Sequence, residues 1–443
     1  MFKKILIAGR GEIAVRIVRA CRELGIASVA VYSEADRIAR HVQLADEAHL
    51  LGPAPARESY LDAGRILAVA RRCGAEAVHP GYGFLSENAD FAEAVAGQGL
   101  TFIGPPPRAM RMMGEKTAAR RAMQAAGVPV VPGMVQVLAS DDEALTVAGQ
   151  LGYPLLLKAA GGGGGKGMRL VAGPHDMAAA LRTPSPALSA PVRRQLGEAA
   201  LTVVRASGYV NAGTVEFLVD RDLNFYFLEM NTRLQVEHPV TEAVTGIDLV
   251  KAQIRVAAGL PLGFRQEDVT ARGHSFEARI YAEDPDNDFL PSLGTIMALR
   301  EPQGPGIRVD SALFAGMEVP IHYDPIMAKL VVWGADRAEA IARMRRALDE
   351  YEVVGVKTTL PFHRHACSHD GFCRGEIDTG FVAREWPAIR PSRVETELAA
   401  AIAAAVVERR TRCRQVLAPS GPARACRASM WKVVSRRQGL RKI

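Results

Sequence analysis

Gly9-Arg10-Gly11-Glu12-Ile13-Ala14 follows directly on the apolar run Ile5 to Ala8 and opens a segment, Glu12 to Leu24, with apolar residues at helical spacing (Ile13, Ile17, Ala20, Leu24). A strand that turns through glycines into a helix, followed by a second apolar run at Ser28 to Tyr32, is a βαβ unit. Its crossover requires a parallel sheet with helices on its faces. The alternation continues through helix Tyr60 to Arg72, strand Ala77 to His79, helix Asn88 to Ala96 and strand Leu100 to Ile103, until Gly104-Pro105-Pro106-Pro107 breaks it. Residues 1–107 are therefore expected to form a doubly wound α/β domain. With Glu34 ending the second strand, the glycine turn is also close to a dinucleotide-binding fingerprint, although Arg10 and Glu12 crowd the path a pyrophosphate would take.

Beyond the prolines the pattern predicts helix Arg108 to Ala126, helix Asp141 to Leu151, strand Tyr153 to Ala159, helix Val192 to Ser207, and a hairpin of Thr214 to Val219 with Leu223 to Glu229. Helix Asp248 to Ala258 follows. A third region then mixes strands (Phe276 to Tyr281, Thr295 to Leu299, Ala328 to Val332) with helix Arg337 to Tyr351 and its apolar stripe of Ile341, Met344 and Leu348. The formal net charge of +7 is concentrated at the end: from Arg409 to Ile443 there are Lys and Arg but no Asp or Glu, and the rest of the chain is mildly acidic. That distribution describes a solvated basic tail and argues against nucleic acid as a partner. Six cysteines over 443 residues are too sparse for a disulfide framework and point to the cytoplasm. The longest apolar run, Leu398 to Val407, is too short to span a membrane, and Met1 leads into the first strand without a secretory leader.

Two stretches carry chemistry. Lys158-Ala159-Ala160 runs into Gly161 to Gly165 and then Lys166-Gly167, which suits a flap whose free backbone N–H groups cover anionic oxygens; the Gly-Lys-Ser/Thr ending of a P-loop is missing. Downstream, Glu216 lies in one strand of the hairpin and Glu229 ends the other. Side by side with the Asn231 carbonyl they make a hard-oxygen set suited to Mg²⁺ (or Mn²⁺) bridging ATP phosphates.

Together with His79-Pro80-Gly81-Tyr82-Gly83-Phe84-Leu85-Ser86-Glu87-Asn88 and Glu229-Met230-Asn231-Thr232-Arg233-Leu234-Gln235-Val236-Glu237-His238-Pro239, these stretches resemble the biotin carboxylase family of ATP-grasp ligases over residues 1–382. The family more often has Asn where this chain has Gly9. The resemblance implies a Rossmann-like N-terminal domain (1–107), a shortened ATP-grasp central domain (108–267), a mixed α+β C-terminal domain (268–382) and a poorly ordered tail (383–443). It implies that MgATP converts bicarbonate to carboxyphosphate, whose CO₂ is captured by the biotin ureido nitrogen. Residue by residue, it implies Lys116 and Lys158 on ATP phosphates, Gly164 and Gly165 in the covering flap, and Glu216, Glu229 and Asn231 as metal ligands. Arg233, Gln235 and the Val236 backbone would hold bicarbonate, Glu237 would be the general base, Arg279 would stabilise the biotin enolate, and Tyr82 would line the biotin pocket.

The same resemblance exposes a gap. The family's second ATP-grasp lobe, which supplies the adenine hinge, lies between flap and hairpin, but here the chain passes at about Leu181 into Thr183-Pro184-Ser185-Pro186 and the late helix. No lysine between two methionines follows Thr379-Gly380-Phe381; Met430-Trp431-Lys432 does not match. Biotin is thus expected on a separate biotin carboxyl carrier protein, the second partner being the carboxyltransferase subunit of an acyl-CoA or acetyl-CoA carboxylase, with a homodimer as the assembly. Two rivals stay open: an inactive member serving as a dimerisation or carrier-binding subunit, and a NAD(P)- or flavin-dependent oxidoreductase using the first glycine turn. His365, His369 and Cys373, at i, i+4 and i+8, are expected at an exposed helix end rather than on zinc.

Overall fold

In the computed structural model of this chain, residues 1–131, 155–158, 168–171, 189–220, 222–377 and 380–389 are described, with the backbone alone at 155–158, 168–171 and 387–389. Strand β1 (Lys4–Ile7) turns through Gly11, at φ +68°, into α1 (Gly11–Glu23). β2 (Ala27–Ser33), α2 (Arg40–Leu44), β3 (Glu47–Gly52), α3 (Ala63–Cys73), β4 (Ala77–His79), α4 (Ala89–Gly97) and β5 (Thr101–Phe102) follow. All five strands are parallel, in the order β3-β2-β1-β4-β5, with Ile5, Leu6 and Ile7 of the central strand fully buried. Asp62 and Asn88 start α3 and α4 by accepting the N–H of Arg65 and Phe91, which satisfies donors a helix leaves open at its first turn. Sequence periodicity misses β3, because an edge strand needs to bury only Leu51 and its Glu47 and His49 read as loop.

The expected helix Arg108 to Ala126 is two helices, α5 (Pro107–Gly114) and α6 (Lys116–Ala125), because Glu115 is extended at φ −89°, ψ 109°. Gly114 weakens the helix there, and Thr117 Oγ1 donates to the Glu115 carboxylate. β6 (Leu155–Lys158) and β7 (Met168–Val171) pair antiparallel on either side of the glycine run. After α7 (Ala190–Ser207) comes the hairpin of β8 (Thr214–Val219) and β9 (Phe225–Asn231), packed with Met113, Met123 and Val203 through Phe227 and Met230. Then come α8 (His238–Thr245) and α9 (Leu249–Ala257). The predicted helix Asp141 to Leu151 lies outside the described residues.

The third region centres on an antiparallel sheet of β10 (His274–Tyr281), β11 (Ile307–Ser311) and β12 (Ile326–Gly334), in the order β10-β12-β11. Side chains alternate across it. Ala278, Ile280, Leu330 and Val332 pack on Met344 and Leu348 of α10 (Arg337–Glu350), whereas Glu277, Arg279, Lys329, Arg308 and Asp310 occupy the opposite face. The charged face meets α1, which is wedged between the two sheets and is therefore buried on nearly all sides, Glu12 and Arg16 included. The expected strand Thr295 to Leu299 is split: Gly294–Thr295 pairs with Glu318–Val319, and Ala298–Arg300 pairs with Glu352–Val354. Helices α11 (Leu360–Ser368) and α12 (Asp370–Arg374) break at His369, so His365, His369 and Cys373 do not share one helix. The last described helix, α13 (Phe381–Ile389), crosses the limit expected at 382 and is tied down by Trp386 Nε1 donating to the Pro285 carbonyl at 2.8 Å. Met1–Ile389 form one compact unit; Arg390–Ile443, with most of the expected tail, lie outside the described residues.

Candidate active site

The hairpin register sets Glu216 directly opposite Glu229, so the two carboxylates leave the same face of adjacent strands. Asn231 ends β9, and its amide donates to Glu216 Oε1 at 2.6 Å. The chain then bends through Thr232 to Glu237 before α8. Arg233 organises this loop: its guanidinium donates to Gln235 Oε1 (3.1 Å), Asn231 Oδ1 (3.3 Å) and the Leu234 carbonyl (3.2 Å). Glu87 anchors the loop from the N-terminal domain by accepting Arg233 Nε at 3.2 Å and the Thr232 N–H at 3.1 Å. Sequence reasoning assigned Glu87 no role, although it lies within the His79 to Asn88 motif.

At the loop's end the sheet's charged face comes into reach. Arg279 Nη2 donates to Glu237 Oε2 at 2.7 Å, with the side chains 37% and 49% exposed, so this pair of predicted catalytic groups opens to solvent. Lys329, the register partner of Arg279, is by contrast fully buried. Its ammonium donates to the Val236 carbonyl at 2.9 Å and to the Tyr82 hydroxyl at 3.3 Å. Arg233, Gln235, Val236, Glu237, Arg279 and Tyr82 are thus gathered in one place, and the hairpin acids join them through Asn231. Lys116 opens α6, half-buried, while Gly164, Gly165 and the Lys158 side chain lie outside the described residues.

Two buried acids flank Lys329. Glu12 Oε2 is 3.3 Å from its ammonium, and neither Glu12 nor Glu277 has a hydrogen-bond partner on its carboxylate oxygens among the described residues. Burial pushes both carboxyls up to about 7, against the pull of Lys329. A folded-state value above the ordinary 4.5 means that folding takes up a proton. The group's stabilising share is complete below about 4.5 and is lost as pH rises through about 7. Glu277→Gln is therefore expected to raise stability by ~1–3 kcal/mol at pH about 8 and by little at pH about 5, as read from denaturant melts at both values. A larger gain at the lower pH would contradict the assignment.

The first glycine turn is occupied by the protein itself. Arg10 donates two 2.7 Å hydrogen bonds to Asp36, lies over the Tyr323 ring at 4.1 Å, and Asp36 also accepts from Tyr60. Glu34, the acid expected to meet a ribose, is exposed and Asp36 is buried instead. The carboxylate of Glu12 at the start of α1, paired with Lys329, further disfavours an incoming pyrophosphate, so the turn serves the packing of the domain. No three His, Cys, Asp or Glu cluster among the described residues, and the chemistry of the hairpin set, two carboxylates and the Asn231 amide, is that of hard oxygen donors that would suit Mg²⁺. The Asn231 oxygen now accepts from Arg233, so ligation through it requires the amide to turn.

Comparisons with known proteins identify the family. Residues 1–110 match the family "Biotin carboxylase, N-terminal domain" and residues 277–384 match "Biotin carboxylase C-terminal domain". Between them, "Carbamoyl-phosphate synthase L chain, ATP binding domain" matches in two pieces, 115–183 and 181–265, which meet where the sequence places the gap. Biotin carboxylase 1 of Bacillus subtilis (strain 168) is 44% identical over 442 residues, covering 86% of this chain and 98% of the relative. Biotin carboxylase of Halalkalibacterium halodurans is 45% identical over 441 residues, covering 86% and 97%. Each alignment is longer than that share of a 443-residue chain, so both relatives carry positions with no counterpart here. Among solved structures, the biotin carboxylase domain dimer of Hydrogenobacter thermophilus 2-oxoglutarate carboxylase, in complex with MgADP, ADP and bicarbonate, superposes with a TM-score of 0.83 at 40% identity, covering 88% of this chain and 99% of that one. A biotin carboxylase β-γ-ATP complex from Campylobacter jejuni gives 0.82 at 40% identity, covering 87% and 99%.

Proposed function

The chain belongs to the biotin carboxylase family, and from that premise we propose which of its residues carry the ATP-dependent carboxylation of biotin by bicarbonate. The observation that bears most weight is the 2.7 Å contact between Glu237 and Arg279, which joins the ATP-grasp loop to the C-terminal sheet at a solvent-facing opening. Arg233, Gln235 and the Val236 backbone bind bicarbonate, and Glu237 accepts its proton as a bicarbonate oxygen displaces ADP from the γ-phosphorus to give carboxyphosphate, which splits into CO₂ and inorganic phosphate. Protonation removes one of the two charges that hold Arg279, the other being Glu277 at 3.6 Å. The guanidinium then turns toward the ureido oxygen of biotin, where negative charge develops as the freed phosphate takes the ureido N–H proton and the nitrogen captures CO₂. Tyr82 lines that pocket. Glu216, Glu229 and Asn231 hold Mg²⁺, which when bound offsets the charge of the nucleotide phosphates, and Lys116, Lys158, Gly164 and Gly165 contact those phosphates.

The domain limits 1–107, 108–267 and 268–382 belong to the same proposal. So do a homodimer and two partners, a separate biotinylated carrier protein and a carboxyltransferase subunit. A cytoplasmic location is supported by four unpaired thiols among the described residues, Cys21, Cys73, Cys367 and Cys373. No helix among the described residues is long and apolar enough to cross a membrane.

The test is fixation of labelled bicarbonate onto free biotin in the presence of saturating MgATP. Acid-labile label that requires both biotin and ATP is expected; none, with no bicarbonate-dependent ATP hydrolysis, would overturn the catalytic reading. The break in the ATP-grasp match favours one second reading, a carrier-binding subunit without turnover, which would retain biotinylated carrier yet fail this assay.

A further inference from the structure

We propose that Lys329 is a positioning residue for the site just described, on whose reading this rests: one buried ammonium fixes both the bicarbonate loop and the wall of the biotin pocket. The carbonyl it holds, at Val236, belongs to the peptide whose N–H is that of Glu237, so the bond sets where the base leaves the main chain. The hydroxyl it holds, on Tyr82, comes from the N-terminal domain, and the ammonium also lies 5.3 Å from the centre of that ring. Every neighbouring element presents a polar group to this position. Glu12 faces it from α1, Glu277 and Arg279 from β10, Asp310 from β11 as its register partner, and His238 from α8. Asp310 is neutralised by Arg308, which donates to it twice at 3.0 and 2.6 Å. The counter-charges of Lys329 are thus Glu12, ion-paired with it at 3.3 Å, and Glu277, which it shares with Arg279 at 3.6 Å from that guanidinium. A lysine with no exposed surface is costly to desolvate, and these contacts offset that cost only in one arrangement of three chain segments.

Hydrogen exchange of the full chain tests this without any ligand. Lys329→Met is expected to speed amide exchange ~tenfold in residues 234–238 and 80–84 while leaving β1, β2 and α10 unchanged. Should unpaired Glu12 prevent that variant from folding, Glu12→Gln combined with Lys329→Met removes both charges and is expected to give the same local pattern. In turnover, the bicarbonate KM of either variant is expected to rise ~tenfold with the MgATP KM unmoved. Unchanged exchange in both segments overturns the proposal, as does acceleration spread evenly through the molecule. If the parent chain fixes no bicarbonate, the catalytic reading fails, and exchange still decides the role of Lys329.

Discussion

Glu237→Gln is expected to lower kcat for biotin carboxylation by ~10²–10⁴ while changing the MgATP KM by less than about twofold. Glutamine keeps the shape of the side chain and can still accept from Arg279 through its carbonyl oxygen. What it loses is the capacity to take a proton. If Glu237 were merely an anchor for Arg279, the same substitution would cost only a weakened hydrogen bond and a few-fold in rate. The bicarbonate dependence of ATP hydrolysis separates the cases: a base is needed when bicarbonate attacks phosphorus, so hydrolysis and carboxylation should fall together. Retained bicarbonate-dependent hydrolysis in the variant would reassign the proton acceptor.

MgATP is expected to bind this chain with a Kd of about 1 mM or weaker, against the micromolar range of a complete adenine pocket, a difference of ~4 kcal/mol. The residues proposed to meet phosphate and metal, Lys116, Glu216 and Glu229, are present. The relatives carry positions with no counterpart here, and the ATP-binding domain match breaks at 181–183, where the resemblance implies the adenine hinge. An interaction carried by phosphate and cation alone is weakened by salt and discriminates poorly between nucleotides. Isothermal titration should therefore give similar weak constants for MgATP and MgGTP. Micromolar, adenine-selective binding would show that another part of the chain supplies the pocket.

Much of this site could be named from the sequence because its residues sit in compact runs that resemble the family's. Glu216 and Glu229 could be paired from a hairpin with a short polar turn, and the observed register does set them opposite one another. Arg233, Gln235 and Glu237 lie within one stretch of the chain, and the structure joins Arg279 to it. Lys329 was not legible. In the run Ile326–Gly334 it reads as one polar residue in a strand, and its partners are 93 and 247 positions away. The same holds for Glu12, which in a glycine turn suggested an obstacle to phosphate rather than a counter-charge for the C-terminal sheet. Local pattern reports which face of an element is polar; only the packing of α1 between two sheets decides what that polarity meets. The break at Glu115 escaped for a different reason, since both helices share an apolar stripe that continues across it.

The wedge of α1 between the sheets bears on how such an enzyme tolerates loss. The stretches near positions 12, 82, 235 and 279–329 are fastened together by the buried Lys329 and by the solvent-facing pair of Glu237 and Arg279. None of these fastenings passes through the segment that the relatives possess and this chain lacks. Loss of those positions therefore leaves intact the joints between the N-terminal domain, the loop after the hairpin and the C-terminal sheet.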